Sequence, residues 1–280
     1  MRKTTLLTAA GLLLAGPARI LAQTIDPNVG NADSPFTRNI RPDRPGQTVT
    51  TGMLRPGQVQ LELGTQSQRS PTAGAASSFS RGLLRVGFFG LMELRVHQPY
   101  LPPRRSTTDG GSGSGVRPGG FTPLTVGAKM LASSNQDTRS QVLVLAELTL
   151  PGTGAAAFPD KVYEPAVRLL VSQQLGERFG LEANLGFRQR GFRVAGISQG
   201  QYLGTLALNG PLGEHFGFLA ETYSTWQPTT GWRPGLTAGL FWRPLPNLRL
   251  DVTAGGGPGI STYAPSGPYV GGGLSLRLPR

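Results

Sequence analysis

Charged side chains alternate with apolar ones along several short stretches, such as Leu61-Glu62-Leu63 and Leu94-Arg95-Val96. Because neighbouring side chains of a β-strand point to opposite faces, this spacing puts the charges on one face of each strand. Both signs occur, so the charges can pair across a narrow interior, where an unpaired charge is costly. We predict that this face lines a lumen; a solvated outer surface and purely structural ion pairs are the alternatives. The predicted lumen-lining residues are Glu62, Arg85, Glu93, Arg95, Lys129, Glu147, Arg168, Glu182, Arg188, Glu221, Arg249, Asp251 and Arg277.

Histidine is the residue type that most often carries out acid–base catalysis, and the chain has two, His97 and His215. His97 ends a predicted strand and Ser106 follows in the next connection, so a lipid hydrolase at the rim of a barrel is one hypothesis. No supporting acid stands at a recognisable spacing from this pair, and two isolated histidines do not make a metal site. We predict that the protein is not an enzyme and has no catalytic residue, metal or cofactor.

The charged faces need strands to position them. From residue 58 onward the chain reads as repeated alternating segments of about ten residues, the pattern of membrane-barrel strands. The sequence therefore predicts an all-β fold, a transmembrane up-and-down antiparallel β-barrel of about twelve strands. These are predicted at 58–65, 80–88, 91–98, 122–132, 140–150, 163–175, 178–188, 200–208, 215–225, 234–243, 247–255 and 268–278.

The predicted connections alternate between short turns and longer segments rich in Gly, Pro and Ser. This order puts both ends of the barrel on the short-turn side, which is periplasmic in outer-membrane barrels. A soluble β-sandwich, the alternative fold, has no reason to sort its loops in this way. Aromatic residues at strand ends also fit the interfaces of a membrane: Phe88, Phe179, Tyr202, Phe216, Trp242 and Tyr269. The long connections are predicted at 66–79, 99–121, 151–162, 189–199, 226–233 and 256–267.

The first 22 residues have the layout of a cleaved signal peptide. Arg2 and Lys3 precede a short apolar run, and Ala22 is a small residue at the predicted cleavage point. This apolar run is shorter than the roughly 20 residues that a helix needs to span a bilayer. We predict three regions: the signal peptide at 1–22, a periplasmic N-terminal segment at 23–57 and the barrel at 58–280.

The amino-acid composition limits the kinds of partner that the protein is expected to bind. The formal net charge is +12, but the sequence has no basic helix or basic-aromatic module, so we predict no binding of nucleic acid. Outer-membrane lipid, which carries phosphate, is the predicted partner of the positive charge. The 280 residues include no Cys, which excludes disulfides and a lipidated cysteine anchor.

Several motifs resemble those of bacterial outer-membrane transporters grouped under the meta-pathway of phenol degradation. Arg41-Pro42-Asp43-Arg44-Pro45 is similar to the Asp-Arg-Pro element that precedes the first strand in that family. The Pro-Gly entry at Pro56-Gly57, the strand Met92-Glu93-Leu94-Arg95 and Gly127-Ala128-Lys129 are similar as well. The resemblance implies an outer-membrane barrel that passes hydrophobic or aromatic small molecules. The chain departs from such barrels at its end, Leu278-Pro279-Arg280, because their closing strands usually finish on an aromatic residue.

Residues 23–57 lack the alternation of strands, and we predict that they lie across the periplasmic mouth of the barrel as a partial plug. The predicted function is a channel or transporter for small, hydrophobic or aromatic solutes in the bacterial outer membrane. The barrel assembly machinery is an expected partner. A barrel that only anchors loops or partners is the second hypothesis, and the rim hydrolase at His97 is the third.

Overall fold

The computed structural model describes residues 40–69, 76–105, 116–158, 162–192, 198–259 and 266–278. The predicted signal peptide and the first part of the N-terminal segment lie outside these residues. No helix in the described part of the chain is long and apolar enough to cross a membrane.

Twelve antiparallel strands form one closed barrel. Each strand pairs with its neighbours in the chain, and the first strand also pairs with the last. The prediction of an all-β, twelve-stranded antiparallel barrel is confirmed. The strands are β1 (Val59–Arg69), β2 (Ala76–Phe88), β3 (Met92–His97), β4 (Thr125–Asn135), β5 (Ser140–Thr149), β6 (Glu164–Leu175), β7 (Phe179–Arg190), β8 (Gln199–Pro211), β9 (Phe216–Gln227), β10 (Gly231–Leu245), β11 (Leu248–Gly257) and β12 (Gly267–Leu278).

The connection from β3 to β4 carries four further strands of two residues each. Tyr100–Leu101 pairs with β2 at Ser80 and with Gly120–Phe121, so it continues the barrel wall beyond the end of β3. Arg104–Arg105 pairs with Val116–Arg117 in a separate two-stranded sheet. The sequence did not predict these short strands because two residues cannot show a period.

Strand lengths vary more than the sequence indicated. The shortest barrel strand, β3, has 6 residues, and the longest, β10, has 15. The predicted long connection 226–233 is wrong: β9 and β10 continue to Gln227 and Gly231, and Trp226 pairs with Trp232. The strict alternation of short and long connections therefore fails at this one hairpin. The aromatic and glycine residues of this hairpin are typical of loops, but here they continue the pairing between β9 and β10.

Apolar side chains cover the outside of the barrel, as expected for a membrane-embedded strand surface. Leu185 and Leu236 are 67% and 66% exposed, whereas Glu62, Arg85 and Glu93 are fully buried on the inward face. Exposed aromatic pairs lie near the strand ends, including Phe216 stacked on Trp242. Tyr269 does not join them. It is buried, and its hydroxyl hydrogen-bonds Thr237, so its assignment to the membrane interface was wrong.

Residues 40–58 run through the interior of the barrel and are here called the lumenal segment. Their partners lie on strands around the whole barrel, including Glu62 on β1, Glu182 on β7 and Glu221 on β9. An apolar patch supports the segment on one side, where Val49 packs with Leu143, Leu145 and Leu170. The lumenal segment therefore fills part of the barrel interior, together with the side chains of the strands.

Candidate functional site

A cluster of charges on β1–β4 holds the lumenal segment from one side of the barrel. Arg85 lies at its centre: Nη1 is 3.0 Å from Glu62 Oε1, and Nε is 2.8 Å from Glu93 Oε1. Arg85 Nη2 also donates to the carbonyl oxygen of Gly52 at 2.7 Å. Because every charge in this cluster has an opposite partner, the cost of burying it is offset locally.

Asp43 of the lumenal segment enters this charge cluster from the interior. Its carboxylate contacts the guanidinium of Arg95 and lies 3.7 Å from Arg85 Nη1 and 3.9 Å from Lys129 Nζ. It also accepts hydrogen bonds from the backbone N–H and the hydroxyl of Thr50, both at 3.0 Å. Burial alone would raise the pKa of Asp43, but the surrounding cations hold it well below its ordinary value.

Carboxylates on the barrel wall bind backbone N–H groups of the lumenal segment. Glu62 Oε2 accepts from the N–H of Asp43 at 3.0 Å, and Glu93 Oε2 accepts from the N–H of Leu54 at 3.1 Å. On the opposite wall Glu221 accepts from the N–H of Gln47 at 2.8 Å and from the N–H and hydroxyl of Thr48. Such charge-assisted bonds are stronger than neutral ones, so these acids act as clamps.

Asn184 and Glu182 hold the segment from β7. The side-chain amide of Asn184 pairs with the backbone of Val49: Oδ1 accepts from its N–H at 2.7 Å, and Nδ2 donates to its carbonyl at 3.1 Å. Glu182 forms an ion pair of 2.7 Å with Arg41. The segment is thus bonded on several sides of the barrel.

Arg44 occupies a slot in the barrel wall made by two glycines. Gly64 on β1 pairs with Gly273 on β12, which pairs in turn with Asp251 on β11. A Cβ at Gly64 would lie 2.0 Å from Arg44 Cζ, and one at Gly273 would lie 2.5 Å from Arg44 Nε. The guanidinium crosses both glycines and ends 3.1 Å from Asp251 Oδ1. The missing side chains therefore make room for this arginine.

Two cavities flank the lumenal segment. The outer cavity, on the side of the longer connections, has a volume of about 970 Å³ including its open mouth. The inner cavity, on the short-turn side, has about 510 Å³. Asp43, Arg44 and Gly46 line both, so this part of the segment is the partition between them.

The comparison with known proteins agrees with this architecture. Residues 42–278 match the family described as "Putative MetA-pathway of phenol degradation". The chain belongs to this family. No curated protein matches the sequence. The predicted resemblance is confirmed, and the match begins at Pro42, so it includes most of the lumenal segment as well as the barrel.

Solved structures place this family member among outer-membrane barrels. It is similar to an outer membrane channel from Pseudomonas putida F1, with 13% identity and a TM-score of 0.62 over 84% of this chain and 99% of that one. It is also similar to the NanC porin, with 9% identity and a TM-score of 0.55 over 79% of this chain and 100% of that one. The chain is an outer-membrane β-barrel.

The predicted lumen-lining residues of this family member fall into three groups, and Arg277 lies apart from them. The charge cluster and the clamps contain Glu62, Arg85, Glu93, Arg95, Lys129, Glu182 and Glu221. Glu147, Arg168 and Arg188 line the outer cavity instead. Arg249, which donates to the Arg44 carbonyl, and Asp251 lie beside the Arg44 slot. Arg277 contacts the carbonyl of Pro246 at the rim that carries the short turns.

Several contributing residues were missed by the sequence analysis. Asn184 follows Glu182 on the same strand face, so the period of two was sufficient to find it. Arg81 lies in β2 and shares the inward face with Arg85, four residues further along the strand. Arg243, on the inward face of β10, lines the inner cavity. Leu143 and Leu145 belong to an apolar run with no alternation, which indicates a strand covered on both faces.

The described residues show no catalytic arrangement that supports the hydrolase hypothesis. His97 lines the outer cavity, but Ser106 lies outside the described residues. His215 is exposed in the turn before β9. The chain does carry one Gly-x-Ser-x-Gly pattern, Gly196–Gly200, in the connection between β7 and β8. A nucleophile elbow joins a strand to a helix, whereas strand β8 begins directly after Ser198.

Proposed function

We propose that this chain is a channel for small solutes across the outer membrane, and that the lumenal segment narrows its lumen. The observation that carries the proposal is the pair of cavities, which open on opposite sides of the thin partition at Asp43–Gly46. A twelve-stranded barrel encloses more space than the smallest, side-chain-filled barrels. Here a chain segment fills part of that space, and a cavity remains on each side of it.

The proposed solutes are small molecules with a hydrophobic or aromatic body. Two observations support this part of the proposal. The description of the family refers to phenol degradation, and the outer cavity combines charged groups with apolar ones such as Leu83, Val49 and Ala166. The exposed apolar belt of the barrel suits outer-membrane lipid as its surroundings.

The contacts of the lumenal segment allow the residues of the predicted partial plug to be narrowed. We assign the plugging role to residues 40–52, because the clamps at Glu62, Glu221 and Asn184 all bind within this range. A segment bonded in this way blocks the direct path along the axis. Solutes must pass around the partition or displace it.

A deletion series tests the channel and the plug together. The full chain, a variant lacking 23–50 and a variant lacking 23–39 are each reconstituted into planar bilayers and liposomes. We expect a small conductance for the full chain, a larger one without 23–50, and no change without 23–39, because that deletion leaves every described contact of the partition in place. Equal permeability of all three would contradict the plug.

The number of bonds that hold the segment favours a second candidate, a barrel with a permanently filled interior that serves only as an anchor. The same liposomes separate the two. If neither the full chain nor the variant without 23–50 passes phenol, arabinose or ions above the background of empty liposomes, the channel is excluded and the anchor is favoured.

A further inference from the structure

The outer cavity carries more positive charge than its own carboxylates neutralise. Its basic lining residues are Arg44, Arg81, Arg95, Arg168 and Arg188, and its acidic ones are Asp43, Glu62, Glu147 and Glu164. Two of these acids serve the partition, because Glu62 binds Arg85 and Asp43 binds Arg95. The third, Glu147, lies 3.9 Å from Arg95 Nε, and the fourth, Glu164, lies 3.4 Å from Arg190 Nε.

Two arginines of the outer cavity form no ion pair within 4 Å among the described residues, although Glu147 of the same cavity acts electrostatically on Arg168. Among the described residues, neither Arg81 nor Arg168 has a carboxylate oxygen within 4 Å, although both lie inside the barrel. Arg81 Nη2 donates a weak hydrogen bond to Gln47 Oε1 at 3.4 Å, and its guanidinium lies 5.8 Å from the centre of the Phe79 ring. The two arginines project from β2 and β6, which are not adjacent, and both line the same cavity. An anion bound in this cavity would add a counter-charge for both.

Other donors in the outer cavity point to the same kind of ligand. In the described part of the chain, His97 Nδ1 and Arg95 Nε are buried and have no hydrogen-bond partner. Buried polar groups are almost always paired. The wall also makes room for the arginine on β6, because a Cβ at Gly186 would lie 3.0 Å from Arg168 Cγ.

The remaining lining of the outer cavity combines polar side chains, such as Gln47, Thr125 and Thr149, with apolar ones. Val49, Leu83 and Ala166 stand beside the arginines, and Pro99 and Pro123 lie near the mouth. A ligand that fits this surface has one anionic group and one apolar body. Guanidinium groups match the planar, two-oxygen geometry of a carboxylate, and apolar walls bury a ring or an alkyl chain.

We propose that the outer cavity is a binding site for small organic carboxylates with an aromatic or aliphatic body, held by Arg168 and Arg81. This inference deepens the proposed function and rests on it, since it names the class of solute that the channel selects. Binding at the site does not itself require transport, so the two can be tested separately.

Calorimetric titration of the full chain in detergent tests the site with benzoate and with benzamide, its neutral isostere. We expect benzoate to bind about tenfold more tightly than benzamide, and Arg168→Gln to weaken benzoate binding about tenfold, the scale for loss of one charge-assisted contact. Arg168→Lys keeps the charge and should retain part of the affinity. Arg178→Gln removes an exposed arginine from a turn on the opposite rim and should change nothing.

The outcomes separate the site from the channel. Equal affinity for benzoate and benzamide, no binding of either, or unchanged benzoate binding in Arg168→Gln would overturn the site. Folding of each variant is checked by heat-modifiable migration on a gel, and Arg81→Gln provides a second route if Arg168→Gln does not fold. Liposomes that pass neutral solutes with no binding of benzoate would leave the channel in place without this site. Benzoate binding without any flux would support the site and contradict the channel.

Discussion

The half of the lumen near the short turns and the half near the longer connections use the same residue types for different purposes. In the charge cluster of the half near the short turns, Arg85 meets three carboxylates and two backbone carbonyls. In the other half, Arg168 faces an open cavity and has no ion pair among the described residues. A buried charge with all its partners in the protein stabilises a structure, whereas one left open is available to a ligand. Variants in each half test this distinction.

The largest loss of stability is expected from Arg85→Ala. Removing this guanidinium leaves Glu62 and Glu93 buried without their main counter-charge, which costs about 3–5 kcal/mol for a buried ion pair. Urea unfolding, followed by heat-modifiable migration, measures the change in free energy of unfolding. Arg178→Ala is the matched control at an exposed turn. If the two variants unfold at the same urea concentration, the charge cluster does not hold the barrel together.

Release of the lumenal segment is expected from Glu221→Ala. Its carboxylate accepts bonds from Gln47 and Thr48, and each charge-assisted bond contributes about 1.5–3 kcal/mol. We expect a larger and noisier single-channel conductance, since the partition is then held mainly from the other side. Glu214→Ala, in the exposed turn before β9, should conduct like the unmodified chain. A conductance unchanged in Glu221→Ala would mean that the clamp does not restrain the partition.

A smaller effect is expected where the Arg44 slot is filled. In Gly64→Ala the new Cβ overlaps the guanidinium of Arg44, and overpacking of this kind costs about 1–3 kcal/mol. Gly82→Ala is the control, because a Cβ there meets its nearest neighbour, Leu63 Cδ2, at 3.6 Å.

A double-mutant cycle makes the Arg44 test specific. Once Arg44→Ala has emptied the slot, Gly64→Ala should cost far less free energy of unfolding than it does in the unmodified chain. Additive losses would show that Gly64 matters to the strand itself and not to the arginine.

The barrel was predictable from the sequence because its strands repeat one simple physical rule. Glu62, Arg85 and Glu93 stand between apolar neighbours that contact lipid, and a period of two requires no knowledge of the partner strands. The alternation is missing where both faces of a strand are covered, as at Leu143 and Leu145, so the inward face could not be assigned there. The rule also failed where a strand extends into residues typical of loops, as at Trp226 and Trp232.

The arrangement inside the barrel was not predictable in the same way. Arg44 enters its slot only because Gly64, Gly273 and Asp251 share one register across three strands, and register depends on the whole closed sheet. The plug could be inferred from the absence of alternation before residue 58. Its partners could not, because they come from strands on every side of the barrel.

The smallest effect on the free energy of unfolding is expected from the titration of Asp43 between pH 7 and pH 5. Its folded-state pKa lies well below the ordinary value, so its charge stabilises the fold at any pH above the ordinary pKa of about 3.9. That stability is lost only as the pH falls below this value toward the folded-state pKa. Urea unfolding of the unmodified chain should therefore show no contribution from Asp43 to any change between pH 7 and pH 5.

Comparison with Asp43→Asn isolates this carboxylate from the other acids of the charge cluster. The difference in free energy of unfolding between the two chains should stay constant from pH 7 to pH 5 and shrink below about pH 4. A difference that already shrinks between pH 7 and pH 5 would mean that Asp43 binds a proton in that range. In that case the contacts with Arg95 and Arg85 do not hold its charge, and the partition would open in mild acid.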